Sequence, residues 1–349
     1  MEHTVAFVGF RHGHVWDVYD RMRSSGSFRI VACCEEDPET RKSLAREGRV
    51  QISHTDFHEM LRSVQFEICV VGDYYQKRGG LILDALKAGR SVISDKPICT
   101  RLRELDRIAA AVRRSGQPLG AMLDLRDSGV FRRMRVLIRD GDLGEIATVS
   151  FNGDHPLLVG KRPGWYFEKD KQGGTINDLG IHAFDGIPWL TGHRFTRIEA
   201  ARNWATGRAG SPHLRDAAQV MGTLDNGCGV LGEISYLVPD SVGYGYPDYW
   251  RFVVAGSKGV AIGCLNDQSL TLFREGAPGP ESVPAAPPAA GGYLQSYLRA
   301  LERAPADGDL GTADILEASR VSLLFQEAAD HSAGRRGRDR RGVALPRAR

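Results

Sequence analysis

An acid and an imidazole lie four residues apart near the middle of the chain, at Asp178 and His182. Side chains at this spacing share one face of a helix, and a carboxylate that fixes the tautomer of an imidazole prepares it to act as a general base. Gly173 and Gly174 precede the pair and would let a ligand approach the backbone. The pair therefore predicts a role in proton transfer. The alternative is a purely structural role, in which the two side chains hydrogen-bond each other or cap local backbone.

Lys96 is the third residue whose position suggests chemistry. It stands in the sequence Ser94-Asp95-Lys96-Pro97, at the end of a predicted strand over residues 91–94. The carboxyl ends of parallel strands are where open α/β sheets bind ligands. A lysine there, fixed by the following proline, can reach both a nicotinamide ribose and a substrate hydroxyl, whereas an ordinary surface lysine needs no such setting.

The elements that must position Lys96 alternate between strand and helix over the first 124 residues. Buried apolar runs predict strands, and the segments between them have helical periodicity. This alternation is typical of an α/β domain with a doubly wound parallel sheet, the Rossmann arrangement. The predicted strands are residues 4–9, 29–34, 68–72, 91–94 and 119–124, and the predicted helices are residues 15–24, 38–47, 55–62, 79–88 and 102–115.

The loop after the first strand lies where a dinucleotide fold places its phosphate loop. Counted from Gly9, Arg11 and His14 replace the second and third glycines of Gly-x-Gly-x-x-Gly, while Gly13 falls one place early and His12 precedes it. Arg11 opposes close approach of a pyrophosphate to the backbone, although its guanidinium could bind phosphate oxygens directly. The loop therefore predicts an altered cofactor site.

An acid also follows the second predicted strand, where dinucleotide folds bind the ribose hydroxyls. This acid is Glu35, and Glu36 and Asp37 come directly after it. Three carboxylates would repel a 2′-phosphate, so NAD is favoured over NADP. The alternative is that the three acids form only a turn before the helix that begins at Pro38.

The second half of the chain has a different pattern, which predicts two domains, residues 1–124 and 125–349. Alternating polarity predicts an α+β domain with a mostly antiparallel, open-faced sheet. A helix is expected at residues 128–139, strands at 146–154, 195–203, 216–223, 229–237, 250–255, 259–263 and 269–273, and a surface loop at 277–290. Helices at residues 293–303 and 312–331 and a last strand at 342–346 would pack back on the protein.

Composition limits the function classes. The formal charge of +3 over 349 residues is too small to indicate a nucleic-acid partner. Six scattered cysteines have no spacing that suits a metal or a disulfide framework, which favours the reducing cytoplasm and no metal. No signal peptide and no membrane-spanning apolar stretch is expected.

Together these features resemble the Gfo/Idh/MocA superfamily, which takes its name from glucose-fructose oxidoreductase, inositol dehydrogenase and MocA. The resemblance covers nearly the whole chain. The segments that show the resemblance are the Rossmann domain, residues 85–89, Asp95-Lys96-Pro97 in place of the commoner Glu-Lys-Pro, and residues 142–146, 173–185 and 342–346.

The resemblance implies an NAD-dependent oxidoreductase that transfers a hydride between a secondary alcohol of a sugar, amino-sugar or cyclitol and the nicotinamide. Lys96, Asp178 and His182 would be the catalytic set: His182 takes the hydroxyl proton, Asp178 orients its imidazole, and Lys96 stabilises the alkoxide. Glu35 would bind the adenosine ribose. The expected cofactor-binding residues are Gly9, Arg11, His12, Gly13, His14, Glu35, Asp73, Tyr74, Asp95, Lys96 and Pro97.

Substrate contacts are expected from Asp178, His182 and four further residues. His155 ends a strand, and Trp165 and Tyr166 lie in a loop whose rings could stack on a sugar, although all three could equally be packing residues. Arg126 could face the cleft or pair with the adjacent acid. A cationic amino-sugar or aminocyclitol from aminoglycoside-type metabolism would suit the acids near the predicted cleft, which are Asp124, Asp127, Asp154, Glu168, Asp170 and Asp185.

Two other functions remain open from the sequence. The chain could be an NAD(P)-binding sensor without catalytic activity, or it could use a borrowed hydride for redox-neutral glycoside chemistry. Net NADH production from a free polyol would separate these possibilities. An open sheet face also needs a cover, so a homodimer or homotetramer is expected.

Overall fold

The computed structural model describes residues 2–335, so the expected last strand at 342–346 lies outside the described residues. The N-terminal part of the chain, residues 3–121, forms a five-stranded, wholly parallel sheet in the order β2-β1-β3-β4-β5. Its strands are β1 (His3–Val8), β2 (Phe28–Cys34), β3 (Ile68–Val71), β4 (Ser91–Ser94) and β5 (Leu119–Ala121). The strand order reverses between β1 and β3, and this reversal opens a crevice at their carboxyl ends.

Helices flank this sheet where the sequence predicts them. Asp37 begins the second helix by accepting a hydrogen bond from the Thr40 N–H at 2.8 Å, and Gly48 ends it in the left-handed conformation. The third helix starts two residues later than predicted, and the fourth starts four residues earlier than predicted. The helices are α1 (Val15–Ser24), α2 (Pro38–Glu47), α3 (Phe57–Ser63), α4 (Tyr75–Lys87) and α5 (Leu102–Ser115).

Gly9 lies at the crevice, where the end of β1 contacts the residues that follow β3. Its φ of +79° is in the left-handed region, and a Cβ added there would lie 2.6 Å from the Cβ of Asp73. Only glycine allows this turn and this approach together. The end of β1 therefore packs directly on the residues that follow β3.

The second half of the chain forms an eight-stranded sheet in the order β13-β12-β11-β10-β6-β9-β8-β7, with one parallel pair, β6 and β9. The surface loop expected at residues 277–290 is partly wrong, because its middle pairs with β12 as an additional edge strand. The strands are β6 (Ile146–Pro156), β7 (Phe195–Trp204), β8 (Ala217–Leu224), β9 (Gly229–Val238), β10 (Arg251–Gly256), β11 (Gly259–Cys264), β12 (Ser269–Arg274) and β13 (Glu281–Pro284).

The described residues after β5 also form four α-helices, α6 (Gly129–Arg139), α7 (Ile181–Thr191), α8 (Gly292–Leu301) and α9 (Thr312–Arg335). A π-helical turn, Ile176–Gly180, leads into α7. Tyr293 and Tyr297 of α8 and Ile315 of α9 belong to the hydrophobic core of the first sheet. Helix α8 therefore packs in the core of the first domain, and α9 contributes to the cores of both domains. No helix among residues 2–335 is both long and apolar enough to cross a bilayer.

Candidate active site

Lys96 and Asp178 form a buried ion pair between the two domains. The Lys96 Nζ lies 2.9 Å from Asp178 Oδ1 and also donates to the Asp178 carbonyl oxygen at 2.9 Å. Lys96 is 2% exposed and Asp178 is fully buried. Two of the three ammonium protons are thus used within the protein, and one remains for a substrate.

Three further side chains bind the Asp178 carboxylate. Tyr166 donates to Oδ2 at 2.6 Å, Gln172 donates at 3.1 Å, and the Tyr236 hydroxyl also donates to this oxygen. Burial alone would raise the pKa of Asp178, but the Lys96 ammonium and the two tyrosine hydroxyls hold it well below its usual range. Asp178 is therefore a fixed carboxylate that anchors the lysine.

The predicted pairing of Asp178 with His182 is wrong. His182 Nδ1 has no hydrogen-bond partner, and its nearest acid is Asp124, at 3.5 Å. The reason is that a lysine ammonium and two hydroxyl donors compete for the Asp178 carboxylate, and an ammonium binds it more strongly than a neutral imidazole does. Burial, and then the charge of Lys96, lowers the pKa of His182 far below its ordinary value, so the imidazole is neutral, and its Nδ1 is free to form a hydrogen bond.

Gly173 and Gly174 do not open the backbone to a ligand, contrary to expectation. A Cβ at Gly173 would collide with Thr100, and a Cβ at Gly174 would collide with Gln326. Both glycines have positive φ, of +81° and +99°. The Gln326 amide oxygen accepts from the Ile176 N–H at 3.0 Å, so α9 fixes the start of the segment that carries Asp178.

Arg78 binds the loop that contains Lys96 (residues 95–97, the lysine loop). The sequence did not predict this role. This fully buried side chain donates to Asp95 Oδ2 at 2.7 Å, to the carbonyl oxygen of Pro97 at 3.2 Å and to that of Lys96. The Lys96–Pro97 peptide bond is cis. The sequence does contain a signal for this role, which is a charged residue within the apolar face of α4. Buried arginines are rare unless they are paired, so such a residue indicates a buried partner.

A buried chain of hydrogen bonds connects Asp95 to Asp178. His12 Nδ1 bonds Asp95, His12 Nε2 lies 3.1 Å from the Tyr75 hydroxyl, and this hydroxyl lies 2.6 Å from that of Tyr166. Burial lowers the pKa of His12 to about 3. Tyr75 and Tyr236 were also missed, since only the packing of the domains brings them to the site.

His12, His14 and Asp95 offer ligand atoms within 4.8 Å of one another, which is close enough to consider a metal ion. However, Asp95 Oδ2 already accepts from both Arg78 and His12. A guanidinium bound to the same carboxylate would repel a cation. The arrangement suits an anchor for the lysine loop better than a metal centre.

The cavity above Lys96 contains some of the predicted substrate residues and lacks others. His155 and Tyr166 line it, and the His155 Nε2 lies 3.0 Å from the Tyr249 hydroxyl. Burial, and then Lys96, lowers the pKa of His155 to about 3. The lining residues are His14, Lys96, Asp124, His155, Arg162, Tyr166, Leu179, His182, Tyr244, Tyr249, Trp250 and Leu265.

Arg126 and Trp165 do not line this cavity, contrary to expectation. Arg126 forms two hydrogen bonds with Asp185, at 2.9 and 2.6 Å, so it pairs neither with a substrate nor with Asp127. The guanidinium also donates to the Asp309 carbonyl oxygen at 2.9 Å. The Trp165 indole donates to the Arg11 carbonyl oxygen at 3.0 Å and lines the groove beside the phosphate loop.

The phosphate loop retains features that suit a dinucleotide. Helix α1 begins without a side-chain cap, but its first three N–H groups donate to carbonyl oxygens of the loop, at 3.0 to 3.3 Å, and are not free for an anion. A Cβ at Gly13 would meet nothing within 4 Å, which leaves room beside the helix start. Arg11 lies in the same groove, with its Nε 2.8 Å from Asp73 Oδ1 and its guanidinium 4.8 Å above the Tyr74 ring. These residues fit the phosphates of a dinucleotide.

Glu35 has a position that differs from the expectation. Its carboxylate is fully buried and accepts from the backbone N–H groups of Phe10, at 2.7 Å, and of Asp37, at 2.9 Å. Asp37, rather than Glu35, lines the groove next to the loop. Glu36 bonds Lys77 at 2.5 Å. Glu35 thus holds the loop in shape, and of the three acids Asp37 faces the groove.

Two family models match the chain. Residues 4–122 match a family described as oxidoreductases with an NAD-binding Rossmann fold, and residues 131–262 match the Gfo/Idh/MocA C-terminal domain. A protein of Amycolatopsis mediterranei, provisionally named a UDP-kanosamine synthase oxidoreductase subunit, is 29% identical over 51% of this chain and 49% of its own length. The chain thus spans about half the length of this relative.

An inositol 2-dehydrogenase of Burkholderia ambifaria is 26% identical over 68% of this chain and 67% of its own length. Among solved structures, an inositol dehydrogenase homologue of Azotobacter vinelandii, complexed with NADH and myo-inositol, aligns with a TM-score of 0.75. It has 17% sequence identity, and the alignment covers 95% of this chain and 96% of that one. The two matched domains and their common fold show that the chain belongs to the Gfo/Idh/MocA family of oxidoreductases.

Proposed function

We propose that this protein is an NAD-dependent dehydrogenase that oxidises a secondary alcohol of a sugar or cyclitol, or reduces the corresponding ketone. The observation that carries the proposal is the meeting of the Lys96 ammonium and the neutral His182 imidazole in one cavity. A proton acceptor and a cation near one hydroxyl are what alcohol oxidation requires.

The chain's own residues would divide the work as follows. His182 accepts the hydroxyl proton of the alcohol, and the free N–H of Lys96 donates to the same oxygen and stabilises its developing negative charge. Asp178 keeps the ammonium in place, and Tyr166 and Tyr236 keep Asp178 in place. NAD, when bound, accepts the hydride. General base catalysis contributes roughly 10²- to 10⁴-fold.

The phosphate loop and Asp37 would set the cofactor preference. Arg11 supplies a positive charge beside the phosphates, and Asp37 faces the groove where a 2′-phosphate would add negative charge. NAD is therefore preferred over NADP. Calorimetric titration with NADH and NADPH tests this preference, and tighter binding of NADPH would contradict it.

The direct test of the function is NADH formation from free polyols, sugars and cyclitols. A dehydrogenase produces NADH in proportion to the alcohol consumed. A protein that binds NADH and turns over no alcohol would instead be a sensor. A protein that cleaves a glycoside with no net NADH would be a redox-neutral enzyme.

An amino-sugar or aminocyclitol, as in aminoglycoside-type metabolism, is the finer proposal. Of the six acids counted in the sequence, only Asp124 lines the cavity, where it lies 3.5 Å from His182. Asp185 is committed to Arg126, and Asp154 accepts from Ser235 at 2.6 Å. This finer proposal is thus supported by the Asp124 carboxylate and by one relative, whose name contains kanosamine. Faster turnover of amino-sugars than of matched neutral sugars would agree with it, and equal turnover would remove it.

We also propose that the protein is cytoplasmic and assembles as a homodimer or homotetramer through the second sheet. All six cysteines are free and buried, which suits a reducing compartment. The face of the sheet that carries Met221 and Leu231 exposes these side chains by 39% and 57%. Sedimentation of the wild type and of Leu231→Lys tests the assembly, and an unchanged mass in the variant would argue against this face.

A further inference from the structure

The catalytic cavity contains one cation that the protein does not neutralise. Arg162 lines the cavity together with Lys96 and His182, and it is half-buried. Within residues 2–335 its guanidinium makes no ion pair with a carboxylate. The acid that binds the same loop, Asp240, accepts instead from Arg208, at 2.8 Å, and from backbone N–H groups of the loop.

The guanidinium is held in a fixed position. Its Nε donates to the carbonyl oxygen of Leu157 at 3.1 Å, and one Nη lies 3.4 Å from both the Pro156 carbonyl oxygen and the Tyr244 hydroxyl. The Tyr166 ring stacks against it, with 4.9 Å from Cζ to the ring centroid. These contacts orient the group and leave other N–H donors unused.

None of the other charged or titratable groups around the cavity forms an ion pair with Arg162 in the described residues. Asp178 already neutralises Lys96. His155 and His182 are kept neutral chiefly by burial. The remaining imidazole, His14, is 34% exposed and lies 3.4 Å from the carboxylate of Asp95. Asp124 is the one carboxylate in the lining, and it is 41% exposed and lies beside His182.

We propose that the substrate carries an anionic group, a carboxylate or a phosphate, that binds Arg162 while its secondary alcohol lies at Lys96 and His182. Planar guanidinium donors match both anions in a bidentate geometry. This inference rests on the proposed dehydrogenase function and deepens it. An amine near Asp124 is compatible with it, because the two charges of such a substrate would contact different residues.

The test compares matched compounds in the wild-type protein, Arg162→Gln, Arg162→Lys and the control Lys161→Gln. Lys161 is an exposed neighbour on the same loop, so its variant loses one charge without changing the cavity. The probes are glucose, glucuronate, glucose 6-phosphate and UDP-glucose, each measured by NADH formation and by calorimetric binding in the presence of NADH. The carboxylate and phosphate arms identify the anion.

In the wild type and in Lys161→Gln we expect at least one anionic compound to exceed glucose in kcat/KM by about 10- to 100-fold, as a charge-assisted hydrogen bond would give. In Arg162→Gln this advantage should disappear because the KM for the anionic compound rises. In Arg162→Lys the advantage should be partly retained. Equal use of glucose and the anions by wild type overturns the inference and leaves the dehydrogenase function standing. If none of the four compounds yields NADH, the screen of polyols, sugars and cyclitols decides the dehydrogenase function separately, and binding of the anions with loss in Arg162→Gln still decides the role of Arg162.

Discussion

Lys96 and Asp178 come from different domains and lie 2.9 Å apart in a place where both side chains are buried. Removing one partner of a buried ion pair leaves an uncompensated charge, at a cost of about 3–5 kcal/mol. We therefore expect Asp178→Asn to lower the free energy of unfolding by that amount, measured by urea denaturation. The exposed Asp225→Asn is the control. A loss of under about 1 kcal/mol would show that the pair is not a buried anchor.

Stability should fall below neutral pH because of the buried histidines. The pKa of His12 and that of His155 are each lowered, mainly by burial, to about 3. The unfolded chain binds protons at these residues from about pH 6.5 downward, whereas the folded protein does not. Their stabilising contribution is therefore present above about pH 6.5 and is lost as the pH falls towards 3.

This pH effect can be assigned to a residue. Each such histidine removes roughly 1.4 kcal/mol per pH unit within that window. We expect His155→Asn to reduce the slope of unfolding free energy against pH between about 6 and 5 by roughly this amount. His213→Asn, at an exposed histidine, is the control. If both variants retain the full slope, His155 is not held neutral by the fold.

Arg78 should control catalysis without touching the substrate. It binds Asp95 and two carbonyl oxygens of the lysine loop, so its loss should displace Lys96 and remove the guanidinium partner of Asp95. We expect Arg78→Met to lower kcat by about 10- to 100-fold, because small displacements at a catalytic group are costly. Arg78→Lys should recover part of the rate, and Arg103→Lys, on the exposed side of α5, should have no effect. A normal kcat in Arg78→Met would exclude a positioning role.

Gly9→Ala tests the contact between β1 and β3. Both Gly9 and Gly26 have positive φ, but a Cβ at Gly26 meets nothing within 4 Å, whereas one at Gly9 would overlap Asp73. Gly26→Ala should lose about 1 kcal/mol of stability through backbone strain alone. Gly9→Ala should lose about 1–3 kcal/mol more, because the strands must separate. Equal losses would mean that the loop can relax.

Local signals in the sequence predict most of the first domain and part of the site. Helices α1, α2 and α5 and strand β4 have the bounds that periodicity predicts, because caps and apolar faces are local properties. Lys96 could be placed because it ends a strand. The edge strand β13 could not be predicted, since the Pro-rich and Ala-rich segment around it has little intrinsic preference for a strand.

The partners of the site residues could not be predicted from spacing. Asp178 lies four positions from His182, yet it bonds Lys96, 82 residues away, together with two tyrosines. These contacts depend on how the two domains pack, and no periodicity records that packing. Arg126 shows the same limit, because its partner is Asp185 rather than the neighbouring acid.

The measurement that tests the central claim most directly compares turnover with cofactor binding in Lys96→Ala and His182→Ala. The account predicts that both variants lose about 10²-fold or more in kcat for NADH formation while calorimetry shows NADH binding within about threefold of wild type. Retained turnover, or a parallel loss of turnover and NADH binding, would contradict the roles assigned to these two residues.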